Sequence, residues 1–313
     1  MNVVHTGVGP FVPGPDSGFV LFSPDATGSG RQWPALRYLG TLGIRVKGVA
    51  PLRPTSEQIA ALYGKNRRGR APEAEDLLVD RLFAAGPSLA CWLVSDHLDT
   101  PSLTDTLRAL KGPSDPAACH PGHLRHVLGA ENRLMNGVHS SDSPEEALAE
   151  LDALGVTEFQ AFTGPGDETG GTGPATSALA VACHVRRRVL DAALDVPVPE
   201  ARSLQNQAEE LAGRRIKPAG VLTSLGALWD RQHAAVEATG AGNGRAVVDC
   251  LAQVAEACSV RFDADSLTAA TAPYGVTPSG WEDLVLRCQA TTGVPASWHN
   301  PAEPEPPDLP AAL

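Results

Sequence analysis

The segment Asn136-Gly137-Val138-His139-Ser140-Ser141-Asp142-Ser143-Pro144-Glu145-Glu146 gathers residue types from which a nucleophilic site can be built. A histidine stands at the end of a short strand, on a tight turn. Hydroxyls and an aspartate follow, then a helix with acids in its first turn. A neutral imidazole is a competent nucleophile when one ring nitrogen is free and the other is held as a donor. The same residues also read as a plain helix start with an incidental histidine, because Ser143 followed by Glu146 matches a capping box.

Other clusters point to less. Cys119, His120, His123 and His126 are metal-ligand types, but their spacing suits no common zinc pattern, and no metal is expected. The glycine-dense stretch 164–174 lacks the G-x-x-x-x-G-K-[ST] spacing that cradles phosphates and reads as a linker. Lys65 to Arg70 reads as a solvated basic loop, and Arg186-Arg187-Arg188 as a solvated helix face. Trp229 and His233, one turn apart, share a face and read as core or interface packing. Asp99 and Asp105 read as a cap and a surface charge.

The elements that must position His139 come from hydrophobic period and turn residues. Phe19 to Phe22 is a buried strand meeting a turn at Ser23-Pro24-Asp25. A helix over 31–41 and a strand over 43–49 follow, then a helix from Thr55 to about Tyr63. Residues 75–85 are helical, 88–94 a strand and 103–110 a helix. Residues 127–138 hold a weak strand, and 144–154 a helix. The order β-α-β-α-α-β-α-β-α fits an α+β sandwich with an antiparallel sheet. Beyond residue 160 the pattern turns helical, over 176–193, 200–213, 219–239, 245–259, 265–271 and 279–292. The expected organisation is a flexible arm at 1–17, a first domain at 18–158, a Gly-rich linker at 159–175, a helical domain at 176–300 and a disordered tail at 301–313.

Composition narrows the partners. The 313 residues are 42% hydrophobic and 19% charged, which suits a globular core. With 25 basic and 36 acidic residues the net charge is −11, a poor match for nucleic acid, whose phosphates need clustered cations. No run of about 18 apolar residues exists, so no membrane partner is expected. The first residues lack a basic segment followed by an apolar one. The six cysteines form no CxxC pair and read as reduced thiols. A cytoplasmic protein is expected.

The His139 segment resembles the active-site signature of nucleoside diphosphate kinases, usually N-x-x-H-G-S-D-S. Phe22-Ser23-Pro24-Asp25 resembles that family's first-strand K-P-D motif, and Tyr63 falls where the family has a tyrosine near the nucleotide. Gly86-Pro87 precedes the third strand, as in the family. Arg108, Gly112, Ser114 and Pro116 match R-x-x-x-G-x-T-x-P, and Pro121 to Arg125 match P-G-T-I-R. Glu150 stands eleven residues after His139, where the family has a supporting glutamate. The resemblance covers about residues 18–155. It implies a ferredoxin-like antiparallel sheet, followed here by an all-α domain that it does not explain. It further implies a phosphotransferase passing a γ-phosphoryl group from a nucleoside triphosphate to a nucleoside diphosphate or related phosphate through phospho-His139. By the same resemblance Glu150 fixes the His139 tautomer, with Ser141 beside it in the signature. Arg108, Arg125 and Ser114 would donate to phosphate oxygens, Asn136 would contact the sugar, and Tyr63 and Ser23 would line the nucleotide site. Mg²⁺ would ride on the nucleotide, and a homo-oligomer is expected.

Four departures accompany the match. The first-strand lysine is Ser23, a lost full charge, and the glycine after the histidine is Ser140. The R-G-D of the family reads Arg125-His126-Val127. No aromatic aligns with the one that stacks on the base; Glu75-Asp76-Leu77-Leu78 stands there instead. These departures keep two alternatives open: an enzyme using the same cleft on a different, perhaps biosynthetic, substrate, and a catalytically impaired nucleotide sensor.

Overall fold

The structure is a computed structural model that describes residues 7–64, 74–96, 101–162, 174–194, 198–212, 220–240, 244–256 and 263–292. The chain divides into two compact units, Met1–Pro174 and Ala175–Leu313. The basic loop at 65–70, Asp99, the glycine-dense stretch at 163–173 and the tail from 301 lie outside the described residues.

The first unit is a six-stranded antiparallel sheet in the order β1-β6-β3-β4-β2-β5. Its strands are β1 (Gly7–Gly9), β2 (Ser17–Phe22), β3 (Ile44–Leu52), β4 (Ser88–Ser95), β5 (Val138–Ser140) and β6 (Phe159–Ala161). The central four, β3-β4-β2-β5, are joined by helices in the manner of a ferredoxin-like sheet. Period-2 alternation splits the core. Val20, Phe22, Cys91 and Leu93 pack on α2 (Gln32–Thr41) and α5 (Leu103–Lys111). Phe19, Leu21, Ala90 and Trp92 face the other way, onto α3 (Ser56–Leu62), α4 (Ala74–Ala85) and α7 (Pro144–Ala153). Each fully buried leucine or phenylalanine in these layers contributes about 1.5–3 kcal/mol. The Trp92 indole keeps a polar partner, donating to Ser17 Oγ at 2.8 Å. Two short helices, α1 (Pro24–Gly28) and α6 (Leu124–Val127), complete the unit.

Three expectations need correction. The strand placed over 127–138 is only Val138–Ser140, and Leu124–Val127 is helical. The arm at 1–17 is ordered from Gly7: β1 pairs with β6, and buried Phe11 lies edge-on to Trp92 at 5.5 Å. The linker begins later than residue 159, because β6 pairs with β3. Strands of three residues contain too few positions to display a period, so no pattern announced them.

The second unit contains α8 (Ala178–Ala193), α9 (Pro199–Ala212), α10 (Gly220–Glu237), α11 (Gly244–Glu256), α12 (Ala264–Thr271) and α13 (Gly280–Thr292). Arg186 is fully buried, against the expectation of a solvated face. Its guanidinium donates to the Leu251 carbonyl, to Gln232 Oε1 and to His233 Nε2, and lies 4.8 Å from the Trp229 ring centroid. Three consecutive arginines look alike in sequence, yet helical geometry sends one inward. No helix among the described residues is long and apolar enough to cross a membrane.

Candidate active site

β5 carries His139 on the outer edge of the sheet, paired with Leu21 of β2. Paired residues share a face, so the imidazole projects with Leu21 toward α3 and α7. Val138 and Phe22 point the opposite way into the other core layer. Gly137 makes the entry to β5 possible: its φ is +78°, and a Cβ there would sit 3.0 Å from Leu128 Cδ1. Its carbonyl accepts from the Ser23 amide at 3.2 Å, which ties the end of β2 to the site.

α7 supplies the partner. Ser143 caps it by accepting from the Glu146 amide at 3.2 Å. The Glu146 carboxylate reaches one residue further back than a capping box requires, accepting from the Asp142 amide at 3.1 Å. One turn on, Glu150 faces the sheet with Ala147 and Leu151. Its Oε2 lies 3.0 Å from His139 Nε2 and also accepts from the Ser141 hydroxyl. This contact assigns the proton to Nε2 and leaves the Nδ1 lone pair free. The Tyr63 ring meets the imidazole edge-on, with centroids 5.8 Å apart.

The imidazole opens into a cleft of about 380 Å³, within the range of small-molecule sites. Ser23, Tyr63, Ser114, Arg125, Asn136, His139 and Glu150 all line it. Ser141 sits behind Glu150, buried. Arg108 is not among the lining residues: it is half exposed, with its nearest acid, Asp105, at 3.6 Å.

Arg125 is nine-tenths buried. Its fork donates to the Gly112 carbonyl at 2.8 Å and to the Val138 carbonyl at 3.4 Å, while its Nε has no partner. A buried donor without an acceptor is costly, and Arg125 also lines the cleft, so its positive charge suits an anion there. Glycine is required at 112 by its neighbour His123: φ is +78°, and a Cβ there would lie 2.5 Å from the His123 ring. At the end of β2, the Ser23 hydroxyl donates to Asp25 Oδ1 at 2.5 Å. Asp25 is fully buried, and burial raises its pKa despite the opposing Arg31 charge and the Ser23 hydrogen bond.

Sequence reading missed Lys111 and Arg133 among the lining residues, and placed Glu75 and Asp76 only as replacements for the base-stacking aromatic. Lys111, the last residue of α5, donates from Nζ to the Ser140 carbonyl at 2.9 Å. Glu75 and Asp76 enter from α4, and Arg133 from the loop before β5, where it pairs with Glu75. Only the fold brings these together; a terminal lysine on an amphipathic helix carries no signal of its own. The cysteine–histidine cluster places the His120 and His123 rings 3.6 Å apart, and no group of three metal-ligand types stands together among the described residues.

The fold and the cleft define an α+β domain built around a histidine on an edge strand and a glutamate on the helix that follows it. The chain belongs to the nucleoside diphosphate kinase family, whose sequence model matches residues 16–155. The nucleoside diphosphate kinase of Psychromonas ingrahamii is 30% identical over 131 residues, 42% of this chain and 84% of the relative. That of Streptomyces coelicolor is 31% identical over 133 residues, covering 42% and 90%. A crystal structure of the Aquifex aeolicus nucleoside diphosphate kinase matches 44% of this chain and 93% of its own, with 23% identity and a TM-score of 0.37. The helical unit lies outside the family match.

Proposed function

We propose that the first unit is a nucleotide-dependent phosphotransferase working through phospho-His139. The observation that supports it is the pairing of His139 Nε2 with Glu150, which leaves Nδ1 unoccupied, in a cleft that His139 and the Arg125 cation line together. In the first step Nδ1 attacks the γ-phosphorus of a nucleoside triphosphate. A P–N bond forms, the bond from the γ-phosphorus to the bridging oxygen breaks, and its electron pair leaves on the diphosphate. In the second step a terminal oxygen of an acceptor diphosphate attacks the same phosphorus, and the P–N electron pair returns to the imidazole. Glu150 stabilises the cationic ring and holds its orientation throughout. Arg125 places fixed positive charge where phosphoryl oxygens lie, and such positioning carries most of phosphoryl transfer.

Mg²⁺ fits as a passenger on the phosphates. Of the carboxylates lining the cleft, Glu75, Glu146 and Glu150 already hold partners and Asp76 is buried, while Asp142 is mostly exposed, with Lys111 no nearer than 4.0 Å. One carboxylate plus substrate oxygens is an ordinary setting for this ion, which neutralises charge on the phosphates. Assembly as a homo-oligomer belongs to the same proposal.

Incubation with labelled ATP and Mg²⁺, followed by an alkaline quench, tests the reading. Wild type is expected to carry acid-labile, alkali-stable label, and His139→Ala none. Absence of label with every nucleoside triphosphate, in a protein that binds nucleotide, would overturn it in favour of a sensor. One observation favours a different acceptor. Glu75, Asp76 and Arg133 make one end of the cleft polar and charged, where the family resemblance calls for an aromatic. An acceptor screen in which a non-nucleotide phosphate turns over while diphosphates stay inert would select that reading.

A further inference from the structure

Among the described residues three cations, Lys111, Arg125 and Arg133, line the cleft, and they are not equivalent. Arg133 is paired with Glu75. Arg125 is held by two backbone carbonyls. Lys111 is 14% exposed, and its ammonium has one hydrogen bond, to the carbonyl of Ser140, the residue next to His139. Its nearest acid, Asp142, stands 4.0 Å off and is itself 69% exposed. An ammonium has three N–H donors, so two remain for a ligand in the cleft. Across the same cleft Ser23 occupies the position where the family resemblance calls for a lysine, and its hydroxyl is turned away onto Asp25.

Taking the phosphotransfer reading above as its premise, we infer that Lys111 is the phosphate-binding cation of this cleft and supplies from α5 the charge that β2 lacks. Its remaining N–H groups donate to oxygens of the nucleotide phosphates beside His139. The Ser140 carbonyl fixes the ammonium next to the nucleophile, so the charge is in place before the phosphate arrives. Burial, with the Arg125 charge second, lowers the Lys111 pKa, and Asp142 and Glu150 oppose this. A tri- or diphosphate entering the cleft relieves that penalty.

Relocation of a charge is tested by moving it back. The full-length chain would be compared as wild type, Lys111→Met, Lys111→Arg and the double variant Lys111→Met with Ser23→Lys. Two readouts serve: the single-turnover rate of phosphoenzyme formation from ATP·Mg²⁺, and the equilibrium affinity for ADP·Mg²⁺. Lys111→Met is expected to slow phosphorylation by about 10²-fold, the usual cost of one fixed charged donor at a transferring group. Lys111→Arg or the Ser23→Lys double variant is expected to recover at least about tenfold of that loss. A merely structural role, bracing the Ser140 carbonyl, would not be repaired from Ser23. A Lys111→Met rate within about threefold of wild type, or a loss that neither charge-bearing variant repairs, overturns the inference while leaving phosphotransfer intact. If wild type forms no phosphoenzyme, the transfer reading fails, and ADP·Mg²⁺ affinity decides for Lys111 alone. Weakening by about tenfold in Lys111→Met with recovery by Ser23→Lys sustains it, and unchanged affinity ends it.

Discussion

Two buried arginines, one in each unit, are treated in opposite ways. In the helical unit the Arg186 guanidinium is enclosed by its own chain: a carbonyl, a glutamine, a histidine and the face of Trp229 surround it. The glutamine is itself tied in, donating to the Ala201 carbonyl at 3.0 Å and to Gln205 Oε1 at 3.1 Å. In the sheet unit Arg125 is bound on one side by two carbonyls and lines an open cleft. Both cations cost desolvation. The enclosed one gives that cost back as packing order within its unit. The other lines a cleft that a ligand can enter. Burial of a charge therefore says little about role; whether the group lines an open cleft says more.

Removing each arginine should break this comparison if it is wrong. Arg125→Met is expected to lower phosphoryl transfer by about 10²–10³-fold, because a preorganised donor at the developing charge is lost. Arg186→Met is expected to leave transfer within experimental scatter and to destabilise the chain by about 3 kcal/mol, since charge-assisted hydrogen bonds are lost and Gln232 keeps an unfilled acceptor. Phosphoenzyme rates and urea midpoints on the same two proteins decide the matter. Equal stability losses with equal rate losses would show that the two sites do not differ in kind.

Glu150→Gln sharpens the picture inside the cleft. The amide keeps the shape but removes the charge that stabilises the imidazolium and the strong acceptor that holds the Nε2 proton. Transfer is expected to fall by about 10–100-fold, the range typical of groups that orient a reactive histidine. Retention of the full single-turnover rate would show that the 3.0 Å contact is incidental. A smaller effect is expected at Ser143, whose hydroxyl accepts from the Glu146 amide and starts the helix that carries Glu150. Ser143→Ala should cost about 1 kcal/mol in a denaturation midpoint. Transfer should change little, because two further turns anchor Glu150 through Ala147 and Leu151.

The sequence made some of this legible and hid the rest for physical reasons. Helices were readable because caps and apolar spacing are local: Thr55 with Gln58, Ser102 and Ser177 all cap where their residue types suggest. The six helices of the second unit fall within a few residues of their expected spans for the same reason. His139, Glu150, Arg125, Ser114, Asn136, Tyr63 and Ser23 were found through a linear motif, and the fold draws them to one cleft. Lys111 and Arg133, the partner of Glu75, were not found, because they meet the site only through the crossing of α5, α4 and the β5 edge. β1 and β6 were hidden by their length. Arg186 was misread because two solvent-facing neighbours, Arg187 and Arg188, share its type.

The smallest expected effect is a pH dependence that belongs to the enclosed arginine alone. His233 Nε2 lies 3.1 Å from an Arg186 nitrogen, an arrangement that requires the neutral ring as acceptor. Burial, and after it the Arg186 charge, holds the His233 pKa below its usual 6.5, while Asp230 and Glu237 pull the other way. The unfolded chain therefore binds this proton at higher pH than the folded one. The resulting stability is present above about pH 6.5 and is lost as pH falls through the lower folded value. Between pH 7.5 and pH 5 the urea midpoint of wild type should fall further than that of His233→Gln, whose amide oxygen accepts without titrating. Parallel falls in the two proteins would mean that His233 takes its proton as easily folded as unfolded. The guanidinium would then sit in a more open setting than its burial indicates, and the contrast with Arg125 would lose one of its two sides.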